Sequence, residues 1–318
     1  MDRPLWQPDP AAVARTRLTA FTRQLEAHTG QRFSDYADLH RWSTNHAPAF
    51  WSALWDFAAV MGDKGARIVE DGERMPGARW FPDARLNFAR NLLRQRGPGD
   101  AIVFRGEDKV ARRLSHDSLH AEVARLAAAL RAQGVEAGDR VAAYLPNMPE
   151  TLIAMLATAS IGAIFSSASP DFGVQGVLDR FGQIEPKILI AADGAFYGGK
   201  RIDNLPRVAD VAARLPSLRR VVIVPYVSEA PVVSGIAHGV VWRDFVAPFA
   251  SVGDIEYADM PFDAPLYILF SSGTTGVPKC IVHGAGGTLL QHMKEHQLHS
   301  DVRAGDRVFH IIQPQVVK

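Results

Sequence analysis

Arg140-Val-Ala-Ala-Tyr-Leu145, Pro149-Glu-Thr-Leu-Ile-Ala-Met-Leu-Ala-Thr-Ala-Ser-Ile-Gly162 and Ala163-Ile-Phe-Ser-Ser167 follow one another almost without interruption. A short apolar run, a helix-length apolar stretch and a second short run read as strand, helix and strand. The same alternation extends outward in both directions. Upstream, residues 101–105 and 110–114 read as strands. Ser115 then caps a helix with Leu119, Val123, Leu126 and Leu130 on one face, stopping at Gly134. Downstream, a helix over 172–184 leads to a strand over 187–192, and a helix over 205–215 to a strand over 219–225. This pattern predicts an α/β fold, with a doubly wound, mostly parallel sheet and flanking helices on both faces. Right-handed connections and sites beyond the strand C-termini are expected of such a sheet.

Before the alternating region the pattern is helical. Ser34 is a candidate N-cap for a helix over 35–45, and a second helix over 48–61 carries Phe50, Trp51, Leu54, Trp55 and Phe57 as a core stripe. Residues 62–77 are polar and glycine-containing, either a linker or a covering segment.

Composition narrows the function classes. The chain has 318 residues, 47% hydrophobic, and a formal net charge of +1. That balance favours neither nucleic acid nor a membrane surface as partner. The basic pairs Arg112/Arg113 and Arg219/Arg220 stand apart and read as solvated surface. The longest apolar run, from Leu152 to Phe165, has about fourteen residues, short of the roughly 20 that span a bilayer. The N-terminus has no apolar signal region, and the single cysteine, Cys280, permits no intrachain disulfide. A cytoplasmic location is expected. Nothing in the sequence speaks to oligomeric state.

The sharpest chemical signal is Leu266-Tyr-Ile-Leu-Phe270 running into Ser271-Ser-Gly-Thr-Thr-Gly-Val-Pro-Lys279. Glycines permit tight turns and close backbone approach. Hydroxyls and successive amides form an anion nest, and Lys279 adds positive charge. Polyphosphate leaving-group chemistry needs such preorganised donors. The spacing is not that of a Walker A loop, because Pro278 precedes Lys279 and Cys280-Ile-Val282 reads as a second strand. The loop is therefore expected to tip a hairpin. Cys280, in that strand, is expected to be a small buried residue.

This string resembles the signature loop of the acyl-adenylate-forming superfamily, which includes the acyl-CoA synthetases. The resemblance implies that Ser271, Ser272, Gly273, Thr274, Thr275, Gly276 and Lys279 hold the β- and γ-phosphates of ATP. Thr275, nearest the magnesium-bound phosphates, and Lys279 are implied to be catalytic. Trp80-Phe-Pro-Asp-Ala-Arg-Leu-Asn-Phe-Ala-Arg-Asn-Leu-Leu93 resembles the N-terminal segment beside the CoA tunnel of short-chain acyl-CoA synthetases. Asp139-Arg-Val-Ala-Ala-Tyr-Leu-Pro-Asn-Met-Pro-Glu150 is similar to their first subdomain. Cys280, His283-Gly-Ala-Gly-Gly287 and Gln291-His-Met-Lys-Glu-His296 look like the acetoacetate-activating branch. What this implies is an AMP-forming acid–thiol ligase: a carboxylate attacks the α-phosphate of ATP, pyrophosphate leaves, and the CoA thiol attacks the acyl adenylate. The implied partners are ATP with Mg2+, CoA and a short 3-oxo acid. No resident metal is implied. Lys200 and Arg201, in Tyr197-Gly-Gly-Lys-Arg201, are implied CoA contacts, with a solvated basic turn before a helix as the alternative.

The resemblance runs to about Phe309, and the tail His310-Ile-Ile-Gln-Pro-Gln-Val-Val-Lys318 matches nothing in the family. The expected organisation is a helical cap over 1–78 and, over 79–318, a truncated N-terminal adenylate-forming domain. By that resemblance, the adenine-gripping stretch, the magnesium-binding Glu, the ribose Asp and the mobile C-terminal domain are expected to be missing from these 318 residues. The chain alone is therefore expected to be inactive, with an unpaired sheet edge and an exposed apolar face. Other readings are a non-catalytic binding module, an acetyl- or propionyl-CoA synthetase, and, from His292-Met-Lys-Glu295-His296, a zinc peptidase. His283 is either a pocket residue or a satisfied histidine near the hairpin. Gly284-Ala-Gly286-Gly287 fails the dinucleotide spacing.

Overall fold

The computed structural model describes residues 5–107, 109–271 and 276–309. The chain folds as two compact units, Met1–Val60 with Leu289–Lys318, and Met61–Thr288.

The first unit is helical. Helices Arg17–Thr29, Tyr36–Asn45 and Ala47–Phe57 bury Phe21, Leu25, Leu39, Trp42 and Leu54, joined by Leu298 from the π-helical turn Glu295–His299. The aromatic stripe is core, as its spacing predicts: the Phe21 ring meets Phe50 at 5.7 Å and Phe57 at 5.2 Å, both edge-on. The cap of Tyr36–Asn45 is Asp35 rather than Ser34. The Asp35 carboxylate accepts from the Asp38 amide at 2.8 Å, while the Ser34 hydroxyl donates to the Asp38 carboxylate. A carboxylate at the cap also complements the helix N-terminal dipole, which a hydroxyl does not.

The second unit is built on a seven-stranded sheet. The order across it is Gly239–Val241, Arg220–Val224, Ile188–Ala192, Arg140–Tyr144, Ile164–Ala168, Pro265–Phe270 and Cys280–Gly284. Every neighbouring pair is parallel except the last. All five residues of Ile188–Ala192 are buried, as expected of a central strand covered on both faces. One face packs on Val174–Ile184 and Leu205–Ala213, through Val177, Phe181, Val208 and Val211 against Tyr144, Leu189, Val221 and Ile223. The buried Tyr144 hydroxyl donates to the Phe172 carbonyl at 2.6 Å, which fixes the chain leaving the strand Ile164–Ala168. The expected apolar run is the helix Pro149–Ser160 leading into that strand. Among the described residues no helix is long and apolar enough to cross a membrane.

Two expected strands lie outside this sheet. Asp100–Gly106 and Val110–Ser115 form a separate antiparallel hairpin. Ser115 then caps the helix His116–Ala132, accepting from the Ser118 amide at 3.0 Å. Asn87 joins separate segments of this unit: its side-chain amide donates to the carbonyls of Ala159, Ser160 and Ala258.

His120 on the helix His116–Ala132 is 4% exposed, with Nε2 3.6 Å from an Asp254 carboxylate oxygen. Burial first, then the nearby Arg96 charge, hold its pKa below the ordinary imidazole value, against the pull of Asp254 and Asp117. The unfolded chain therefore takes up this proton first as pH falls. The associated stability is complete above the unfolded value of about 6.5 and declines below it, down to the folded pKa. Replacing His120 by glutamine is expected to flatten this part of the stability profile. Thermal midpoints of both proteins between about pH 7.5 and about pH 5.5 check it, and parallel curves would refute the assignment.

Candidate functional site

The Ser271 to Lys279 string leaves the sheet where the alternation predicts. Pro265–Phe270 runs parallel to Ile164–Ala168, with Tyr267 opposite Phe165, and the Ser166 hydroxyl donates to the Ile268 carbonyl at 2.8 Å. The chain returns antiparallel as Cys280–Gly284, with Phe270 opposite Cys280. The loop thus tips a hairpin at the C-terminal end of a parallel strand, where open α/β sheets place ligands. Ser271 and Lys279 close its neck. The Ser271 amide donates to the Lys279 carbonyl at 3.0 Å, and the Lys279 amide donates to Ser271 Oγ at 3.1 Å. Ser271 is therefore also a hairpin clasp, a role its place in the motif does not announce. Gly276 has φ +91°, a backbone that side chains rarely adopt. Lys279 is exposed, and its ammonium pairs with no described carboxylate. Ser272, Gly273, Thr274 and Thr275 lie outside the described residues.

Helix Val174–Ile184 supports both limbs of the hairpin. The Arg180 guanidinium lies 4.0 Å from the Phe172 ring centroid and 5.9 Å from that of Phe270. Gln183 donates to the Pro278 carbonyl at 2.8 Å. Neither residue carries a sequence signal that marks it. Cys280 corrects an expectation: it is exposed, its Sγ 3.7 Å from Gln183 Oε1. The cause is position, because the strand Cys280–Gly284 is an edge, paired among the described residues only with Pro265–Phe270. Ile281 and Val282 on that edge are 45% and 55% exposed, an unpaired apolar border of the kind expected.

Lys200 and Arg201 belong to a different hairpin. They begin the strand Lys200–Asp203, paired with Gly194–Tyr197, rather than lying in the turn itself. Both are exposed. The turn is Gly198-Gly199, with φ of +57° and +74°.

His283 packs on Tyr267, ring centroids 5.1 Å apart. It lines a cavity of about 460 Å³ with Arg79, Trp80, Phe262, Asp263 and Thr288, so the segment around Trp80 does meet the stretch after the loop. Gly286 has a packing role in place of a dinucleotide one: a Cβ there would sit 2.2 Å from the Phe262 ring. The peptidase motif falls on the helix Ala285–Lys294 and the turn after it. The His292 and His296 rings are 6.3 Å apart, while Glu295 is paired with Lys294 at 2.8 Å and accepts from Gln291 at 3.0 Å. Among the described residues no three His, Cys, Asp or Glu side chains gather as a metal site.

Comparison with known proteins accords with this arrangement. The family model "AMP-binding enzyme" matches residues 91–315, and that of the acetyl-coenzyme A synthetase N-terminus matches residues 36–92. The chain is 55% identical over 313 residues to an acetoacetyl-coenzyme A synthetase of Rhizobium meliloti (strain 1021), covering 97% of this chain and 47% of that protein. It is 41% identical over 311 residues to an acetoacetyl-CoA synthetase of Macaca fascicularis, covering 95% and 46%. A solved structure of an acetoacetyl-CoA synthetase from Streptomyces lividans superposes with a TM-score of 0.88 at 42% identity, covering 96% of this chain and 47% of that one. The chain spans about half the length of the curated relatives it matches.

Proposed function

The chain belongs to the AMP-binding enzyme family, and from that premise we propose that it serves an ATP-dependent acetoacetate–CoA ligase, AMP-forming and acting through an acyl adenylate. The observation that carries this reading is the hairpin from Pro265 to Gly284, closed at Ser271 and Lys279 beyond the C-terminal end of a parallel strand. The likeness to acetoacetyl-CoA synthetases supports the choice of acid.

In the first step a carboxylate oxygen of acetoacetate attacks the α-phosphorus of ATP and pyrophosphate leaves. In the second, the CoA thiol attacks the acyl carbonyl, losing its proton, and AMP leaves. Neither step needs a protein nucleophile, so the chain contributes positioning and charge stabilisation. Ser271, Ser272, Gly273, Thr274, Thr275, Gly276 and Lys279 are proposed to hold the β- and γ-phosphates, with Mg2+ arriving on them. Lys279 neutralises charge as pyrophosphate departs. Lys200 and Arg201 are proposed to meet the CoA nucleotide.

The test joins residues 1–309 to the remaining half of the Rhizobium meliloti relative and measures acid-dependent ATP–pyrophosphate exchange. Exchange that depends on acetoacetate supports the reading. Equal exchange with acetate or propionate overturns the choice of acid. A folded chimera with no exchange, beside an active unaltered relative, overturns the ligase reading.

A further inference from the structure

Two hairpins meet around Tyr226. From Asp100–Gly106 comes Phe104, whose ring centroid lies 6.2 Å from that of Tyr226. From Gly194–Tyr197 comes Phe196, at 5.4 Å. A Cβ on Gly106 would sit 2.3 Å from the Tyr226 hydroxyl, so the glycine lets the first hairpin close on that ring. Glu107 follows with φ +50°, a backbone uncommon outside glycine. Its carboxylate accepts from the Gly198 amide at 2.8 Å and the Gly199 amide at 3.1 Å. Two successive amides converging on one anion make a backbone nest, and here the anion is a side chain from another hairpin. Lys200 and Arg201, which follow directly, form no ion pair with a described residue, so the Glu107 carboxylate engages the turn amides rather than the two cations.

We propose that Glu107 is a positioning residue for a phosphate-recognition site. Its carboxylate holds the Gly198-Gly199 turn so that Lys200 and Arg201 are presented to the 3′-phosphate of CoA. This rests on the reading that those two cations face the CoA nucleotide. The physical gain is preorganisation: glycine is the most conformationally free residue, and two in succession before the cations would otherwise have to be ordered by the ligand.

The sign of one substitution separates this role from a simple charge effect. Removing a carboxylate near two cations strengthens phosphate binding if only charge matters. Removing a brace weakens it. Calorimetric titration of the 318-residue chain with adenosine 3′,5′-bisphosphate and with adenosine 5′-monophosphate reads both. The unsubstituted chain is expected to prefer the bisphosphate. Glu107→Ala is expected to weaken bisphosphate binding about tenfold, to leave the monophosphate unchanged, and to speed amide hydrogen exchange at Gly198 and Gly199. Glu107→Gln, which keeps one acceptor oxygen, should fall between. Lys200→Ala with Arg201→Ala should remove the preference without loosening the turn. Unchanged or tighter bisphosphate binding by Glu107→Ala overturns the positioning role even where the double variant loses the preference. Absence of any preference in the unsubstituted chain, or a preference surviving the double variant, overturns the CoA reading itself and this proposal with it.

Discussion

Replacing Lys279 by alanine in the chimera is expected to lower acetoacetate-dependent ATP–pyrophosphate exchange by about two to three orders of magnitude, the usual loss when one preorganised charge-stabilising donor is removed. The residue is exposed and its ammonium pairs with no described carboxylate, while its backbone closes the hairpin neck with Ser271. Alanine retains that backbone, so the hairpin should persist and the loss should fall on chemistry. Arginine restores charge but with a planar fork in place of a compact ammonium, so its rescue should be partial. Circular dichroism and a thermal midpoint matching the parent chimera establish that the fold is intact. Exchange within about threefold of the parent, far short of the loss a charge-stabilising donor implies, would remove Lys279 from the proposed phosphate site.

Replacing Asp193 by alanine is expected to destabilise the unit Met61–Thr288 by about 3–5 kcal/mol. Asp193 is 1% exposed and follows directly on the central strand Ile188–Ala192. Its carboxylate accepts from the amides of Tyr226 at 2.8 Å, Val227 at 2.9 Å and Ser228 at 2.9 Å. Its own amide donates to the Val224 carbonyl, and its carbonyl accepts from the Asn204 amide before the helix Leu205–Ala213. One residue thus ties the ends of two neighbouring strands to the start of a covering helix. Alanine leaves three inward-directed amides without their acceptor, and the loss of charge-assisted bonds compounds the orphaned donors. Asparagine keeps one acceptor oxygen and should recover part of the loss. Denaturant titration measures the change, and a loss under about 1 kcal/mol, below the cost of one orphaned donor, would contradict the argument. Tyr226 begins the released segment and packs edge-on against Phe196, so the Gly198-Gly199 turn should loosen as well.

Much of the molecule was legible in the amino-acid order. Runs such as Arg140–Tyr144 and Ile188–Ala192 are short, apolar and separated by helix-length stretches, and both faces of the sheet they form are covered. That periodicity is a local property, so the strand–helix alternation, the parallel sheet and the Ser115 cap could be read directly. The hairpin at Phe270 and Cys280 was legible for the same reason: two short apolar runs flank a turn rich in glycine and hydroxyls. Relations between distant segments were not legible. A lone acid such as Glu107 or Asp193 has no pattern around it, and its role exists only because folding brings amides more than thirty residues away to its oxygens. Gln183 beneath Pro278 is of the same kind. Local sequence predicts a buried Cys280 because an apolar strand usually is buried, yet burial depends on whether a further strand stands beside it, and that is set by sheet order. The sequence by itself determined the elements, the fold class and the hairpin that carries the Ser271 to Lys279 string, because hydrophobic period and turn chemistry act over a few residues. Only the tertiary structure decided which strand is the edge, which carboxylates hold which turns, and that Asp100–Gly106 and Val110–Ser115 stand apart from the main sheet, because each depends on contacts between segments far apart in the chain.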